Sequence, residues 1–237
     1  MLGKLAEGMW VSVAIFAVTL VFSLPLGLLV SFGRMSKNIV IRTIVKVYIS
    51  IMRGTPLMLQ LIAINFGPYY GLGIPNTPGW KNMAVAIGFV LNYAAYFAEI
   101  YRGGIESMPQ GQYEAAKILG YSRGQTFFRI ILPQVIKRIL PSVTNETITL
   151  VKDTSLAFTL SVAEMFSIAK ALAASQTNMM PFVAAAVFYY IFNLVVAVAM
   201  EWMRKSWIIT DRSGRNVENE PVRIKSCGKI HSAICRF

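Results

Sequence analysis

Glu114-Ala115-Ala116-Lys117-Ile118-Leu119-Gly120, running on to Ile131-Leu132-Pro133-Gln134, is a polar and basic insert in a chain otherwise dominated by long apolar runs. Its local chemistry spells two short helices joined by a turn. Pro109 suits the first turn of a helix, where its missing N–H costs nothing. Gly120 suits the left-handed position that closes that helix. Ser122 and Gln125 stand at capping-box spacing, which starts a second helix. Pro133 is expected to end or kink it. Glu114 sits one turn before Lys117 and can pair with it or with a basic partner residue. The small Ala115 and Ala116 suit close packing into another protein's groove. The same pattern also fits an amphipathic helix lying on a lipid surface.

Outside this insert the chain is apolar. Of its 237 residues 55% are hydrophobic, and the mean hydropathy is +0.55. Soluble domains average about 45–50% apolar. Crossing some 30 Å of hydrocarbon takes about 20 apolar residues as helix. Five such runs are read at about 9–33, 51–73, 82–101, 141–174 (its apolar part 154–174) and 182–203. The fold class expected is therefore an all-α polytopic membrane protein with five transmembrane helices. The first run is too long for the apolar region of a cleavable signal peptide.

Charge sets the orientation. Of 23 lysines and arginines, only Lys4, Lys81 and Lys170 fall outside the segments after spans one, three and five. Basic residues so placed stay cytoplasmic. The N-terminus is expected outside, the C-terminus inside, and the 102–140 insert cytoplasmic. The net charge of +12 is then a topology signal. Nucleic-acid binding is excluded because the basic residues are scattered over loops beside spans.

Cys227 and Cys235 lie in the cytoplasmic tail, where reducing conditions disfavour a disulfide. With His231 they make too few ligands for a metal site. The tail, 208–237, is polar and aperiodic from 211 onward and predicts little structure. The segment 67–79 is rich in turn formers. It reads equally as a landing surface for an external partner or a plain connector. Pro25 predicts a kink in span one, and Gly27, Ser31 and Gly33 predict close helix contact.

Ionisable residues within spans are costly and are functional candidates. Asn92, Tyr96 and Glu99 share one face of span three, where Glu99 either faces a pathway or pairs with Arg102. In span four, Asp153, Ala157, Ser161 and Glu164 fall on one helical stripe. Glu164 lies deepest, with no cation at i±3 or i±4, and reads as facing a wet pathway. Asp153 is expected to pair with Lys152. Gln60, Asn65 and Asn193 read as interhelical hydrogen-bonding residues.

These residues stand in recognisable motifs. Arg53-Gly54-Thr55-Pro56 resembles an RGTP signature. Glu99-Ile100-Tyr101-Arg102-Gly103-Gly104-Ile105 resembles E-x-x-R-G-G-I. Gly111-Gln112-Tyr113-Glu114-Ala115-Ala116 is similar to GQ-x-EAA, and Lys152-Asp153-Thr154-Ser155-Leu156 to KDTSL. Their order and spacing, over about residues 5–207, resemble the permease subunits of bacterial ABC importers, in the branch that carries polar amino acids (the histidine/glutamine type). The tail matches nothing in that family. The resemblance implies the type I importer permease fold in a bacterial plasma or inner membrane. It implies an EAA-type coupling loop over 102–140 within a permease domain of 1–207, with Glu114, Ala115, Ala116, Gly120, Leu132 and Pro133 as its docking residues. It implies a second permease chain, identical or related, two cytoplasmic ATP-binding subunits and an extracellular or periplasmic solute-binding protein.

On this reading the chain is not itself an enzyme. It has no GxxxxGK[ST] phosphate loop, so no cofactor is expected on it, and ATP is used by a partner subunit. A zwitterionic solute must exchange hydration for fixed polar partners. Glu164 or Glu99 would take its ammonium, and Asn92, Ser161 and Asp153 complete the expected pathway. A self-sufficient ion-gradient transporter or channel is the alternative, and it would call for internal repeats and helices broken in matching halves. A third reading, an intramembrane enzyme, lacks support: there is no HExxH, and the only histidine lies in the tail.

Overall fold

A computed structural model of the protein describes residues 2–75 and 77–215. Cys227, His231 and Cys235 lie outside the described residues. Helix α9 continues into the tail as far as Arg215.

Helix α1, Leu2–Arg34, runs through Pro25 as one element. After Leu5 its buried stripe is small or hydroxylic: Gly8, Ser12, Thr19, Ser23, Gly27 and Ser31. Several of its large side chains, Trp10, Val21, Phe22 and Leu29, are exposed, while Val11, Ile15, Phe16, Leu20 and Leu24 pack against the core. This arrangement suits lipid outside and close helix packing inside. Ser12 and Thr19 return their hydroxyl hydrogens to the carbonyls of Gly8 and Ile15, one turn back. Helix α1 packs most extensively on α4, Pro78–Glu106. A Cβ on Gly27 would lie 2.8 Å from the Phe97 Cβ, so only glycine permits that approach.

Span two is not one helix. Helix α2, Ile39–Gly54, begins on an Asn38 cap that accepts from the Val40 N–H, and α3, Leu57–Leu72, follows at a bend of 113°. The segment 39–50, read as part of a basic loop, is thus helical. The break follows from Pro56. It has no N–H to give the Met52 carbonyl, and its ring clashes there. Two buried amides take up the freed oxygen. Gln60 Nε2 donates to it at 2.9 Å and Asn92 Nδ2 at 3.0 Å. Asn92 also donates to Gln60 Oε1 at 2.9 Å, pinning the elbow to α4.

Span four is broken too. After the short α5, Gln110–Ile118, a continuous helical shaft starts at α6, Arg123–Gln125, and runs into α7, Leu132–Asp153. Pro133 neither ends nor stops it. A π-helical stretch, Thr126–Ile131, precedes Pro133, and the Leu132 N–H reaches back five residues to Phe127. That shift in the ladder absorbs the proline's missing donor. Beyond α7 the chain tightens to a 3-10 helix, Thr154–Leu160, turns through a left-handed Ser161 and restarts as α8, Met165–Gln176, at a bend of 59°. Helix α9, Met180–Arg215, closes the bundle against α7 and α8.

Among the described residues three helices are long and apolar enough to span a membrane, and the number rises to five when each bent pair counts as one span. The core centres on Phe89, Tyr93 and Phe97 of α4 with Leu61, Leu150 and Leu160 around them.

Candidate functional site: the coupling hairpin and the membrane carboxylates

The 102–140 segment forms a well-braced hairpin. Pro109 stands just outside helix α5, as its extended N-cap rather than in its first turn, and Leu119 is the C-cap, followed by Gly120 at φ +78. The Tyr121 N–H donates to the Ala116 carbonyl at 3.0 Å and the Gly120 N–H to Lys117 at 3.1 Å. These paired bonds are the Schellman closure that a left-handed glycine permits. The next helix opens on the expected capping box. The Ser122 N–H donates to Gln125 Oε1, and the Gln125 N–H to Ser122 Oγ. Gly120-Tyr121-Ser122-Arg123-Gly124 also has the outline of a GxSxG nucleophile turn. It joins two helices rather than a strand and a helix, and Ser122 Oγ serves as a cap. No histidine stands among the described residues.

Braces from below fix the hairpin's aim. Gln112 and Gln134 exchange two side-chain hydrogen bonds, at 2.9 and 2.8 Å. Arg138 donates to the Ser107 carbonyl and hydroxyl. Ala116 is buried, and Met108, Ile131 and Val135 form a small core beneath. What remains outside is Glu114, Ala115 and an apolar tip. Ile118 is 86% exposed and Leu119 73%, with Tyr121 and Phe128 beside them. Glu114 makes no ion pair with Lys117. Leu132 and Pro133 are half-buried at the start of α7. The Gln112–Gln134 brace and the apolar tip were not foreseen; the twenty-two-residue separation of the glutamines carried no local signal.

Three of the membrane carboxylates, Glu99, Asp153 and Glu164, are engaged by other side chains or by backbone N–H groups, whereas the half-buried Glu146 of α7 forms no salt bridge among the described residues. Glu99 pairs with Arg102 at 2.6 Å and lies 3.7 Å from Arg34. Arg102 also binds Glu106. Arg53 sits 5.3 Å above the Tyr96 ring. Asn92 and Tyr96 meet the α2–α3 elbow, at Met52, Gln60 and Arg53, while Glu99 faces Arg102 on its own helix and Arg34 at the end of α1. Asp153 accepts from the Tyr93 hydroxyl at 2.7 Å and forms no salt bridge with Lys152. Gln60 makes its interhelical bond, whereas Asn65 has neither its amide nitrogen nor its oxygen partnered, and Asn193 Oδ1 is likewise alone.

Glu164 needs the largest correction. The stripe Asp153–Ala157–Ser161–Glu164 does not form, because the helix ends before Ser161, at φ 56. Glu164 is 0% exposed and is the N-cap of α8. Its two oxygens accept from the Phe166 N–H at 2.7 Å and the Ser167 N–H at 2.6 Å, and the Tyr189 hydroxyl donates at 3.1 Å. A carboxylate with three donors needs no lysine or arginine. Ser161, by contrast, is exposed, and its hydroxyl has no hydrogen-bond partner among the described residues. Among the described residues no cluster of three or more His, Cys, Asp or Glu could hold a metal.

A binding-protein-dependent transport system inner membrane component model matches residues 23–208. The chain belongs to that family of membrane permeases. It is 36% identical over 229 residues to the octopine transport system permease protein OccM of Rhizobium radiobacter, covering 90% of this chain and 89% of that one. It is 34% identical over 197 residues to the L-cystine transport system permease protein TcyB of Bacillus subtilis, covering 82% of each. Its structure superposes with a TM-score of 0.78 and 27% identity on a crystal structure of an amino acid ABC transporter with histidines, covering 86% of this chain and 94% of that one. The chain is thus a helical importer permease with the type I fold, a transport subunit in an inner-membrane family.

Proposed function

We propose that the chain is the membrane subunit of an ATP-driven importer for polar amino acids. It works with a second permease chain, two cytoplasmic ATP-binding subunits and an external solute-binding protein. The observation that supports this best is the hairpin: a helix held rigidly from below, with Glu114, Ala115, Ile118 and Leu119 presented outward. In a protein whose own surface could have buried them, exposed apolar residues beside a polar helix face mark an interaction site. The bend pairs are each one span, giving five, with the N-terminus outside. On this reading residues 1–207 are the permease domain, 102–140 the coupling loop and 208–237 a cytoplasmic tail.

Glu164 and Asn92 hold the scaffold, and Glu99 clasps α4 to α1. The solute passes instead along the broken face of span four, where Ser161 offers an unengaged hydroxyl and Asp153 a half-buried carboxylate. The relatives named above carry amino acids or their derivatives by name, which supports a zwitterionic cargo. The test is reconstitution of the chain with its ATPase and binding protein in proteoliposomes. Amino acid on the binding-protein side should raise ATP hydrolysis and drive uptake. Uptake driven by an ion gradient without the ATPase would overturn the proposal.

A further inference from the structure

Helix α2 presents three distinct faces. Val45, Tyr48, Ile49 and Met52 pack on α1 and α4. Val40, Ile44, Val47 and Ile51, at spacings of four, three and four, are all exposed. Arg42 and Lys46, one turn apart and led in by Lys37, are exposed along a third line. Among the described residues these three cations have no ion-pair partner. The neighbouring arginines are engaged: Arg34 and Arg102 have Glu99, and Arg53 has Tyr96. Beside the basic line, Ile39, Val40, Thr43 and Ile44 line a shallow groove of about 310 Å³.

An apolar groove lies next to a hydroxyl and three unneutralised cations, at the start of a helix that leaves α1 at its basic end. That juxtaposition matches an acyl chain joined to an anionic phosphodiester. A zwitterionic headgroup fits less well, because its own ammonium is repelled by the same three cations. We propose that α2 is a binding site for an anionic glycerophospholipid. The acyl chain lies along Ile39, Val40 and Ile44, and the phosphate is held by Lys37, Arg42 and Lys46 with the Thr43 hydroxyl. The site rests on the proposed cytoplasmic placement of these residues, in the leaflet where basic segments meet anionic lipid. The helix is tied to α4 through the Tyr48 hydroxyl, which donates to the Leu91 carbonyl at 2.6 Å, and through Arg53 over Tyr96. A bound lipid therefore braces the elbow from outside.

The test is native mass spectrometry of the full chain in its assembled complex, titrated with an equimolar mixture of phosphatidylglycerol and phosphatidylcholine. Phosphatidylglycerol should be retained preferentially. Lys37→Gln, Arg42→Gln and Lys46→Gln should each lower that preference about fivefold, and high salt should lower it as well. The charge-keeping Lys37→Arg/Arg42→Lys variant should retain it, as should Arg204→Gln/Lys205→Gln, which removes charge elsewhere. Unchanged preference in the single variants, or equal loss in the Arg204/Lys205 control, overturns the site. The micelle measurement is blind to sidedness. Failure of the cytoplasmic assignment would be read separately, from thiol accessibility at position 123.

Discussion

Replacing Glu164 by Gln separates a structural carboxylate from a solute-binding one. In the structure Glu164 receives two backbone N–H bonds and one hydroxyl bond, and it is fully buried. A glutamine keeps one acceptor oxygen and brings two N–H donors. At least one of the Phe166 and Ser167 amides then loses its carboxylate, and the new donors face groups that already donate. A hydrogen bond to a charged group contributes about 1.5–3 kcal/mol, and an orphaned buried donor costs about 1–3 kcal/mol. An N-cap loss alone is worth about 0.5–2 kcal/mol. The expected destabilisation is about 2 kcal/mol, a fall in Tm of roughly 4–8 °C for a chain of this size. Glu164→Leu, which orphans all three donors, should cost more and impair folding. The assay is thermal unfolding of the purified complex in detergent, together with the solute concentration dependence of uptake. The capping account expects lowered Tm and an unchanged KM in the fraction that folds. A Glu164→Gln complex with wild-type Tm but uptake lowered tenfold would refute it and restore Glu164 as a solute ligand.

Gly120→Val should leave insertion intact and abolish solute-stimulated ATP hydrolysis. Nothing lies within 4 Å of a Cβ there, so the cost is purely the φ of +78, about 1–2 kcal/mol, relieved by re-aiming α5. Normal stimulated hydrolysis in that variant would remove the hairpin from the coupling role. A cysteine replacing the exposed Tyr70 should react with a membrane-impermeant thiol reagent outside intact cells, and one replacing Arg123 only after the membrane is opened. The reverse pattern would overturn the orientation.

Much of the architecture was legible because membrane physics writes it in plain composition. Apolar length marked the three unbroken spans. Local stereochemistry marked the hairpin: the Gly120 closure and the Ser122–Gln125 box depend only on neighbours in sequence, and both formed. The breaks were harder to see. Thr55-Pro56 was visible, but the bend depends on Gln60 and Asn92 replacing the lost bond, and Asn92 lies forty residues from Met52. Pro133 was misread because a π-helical turn can absorb a proline. The stripe through Glu164 assumes an unbroken α-helix, whereas the chain tightens to a 3-10 helix after Asp153 and breaks at Ser161. The third partner of Glu164, Tyr189, lies twenty-five residues away on another helix. Helix α2 was hidden under its own basic residues, although Asn38 and the spacing of Val45, Ile49 and Met52 carried its signal.

The central claim is that α5 hands motion to a separate ATPase, and its exposed tip tests that most directly. Ile118 and Leu119 are 86% and 73% exposed, so Ile118→Asp/Leu119→Asp should leave the permease stable and inserted. The measurement is co-purification of the ATPase with the permease, alongside solute-stimulated ATP hydrolysis in proteoliposomes. The account predicts that the double variant loses both the bound ATPase and the stimulation while its Tm stays unchanged. Full ATPase retention with wild-type stimulation would contradict it.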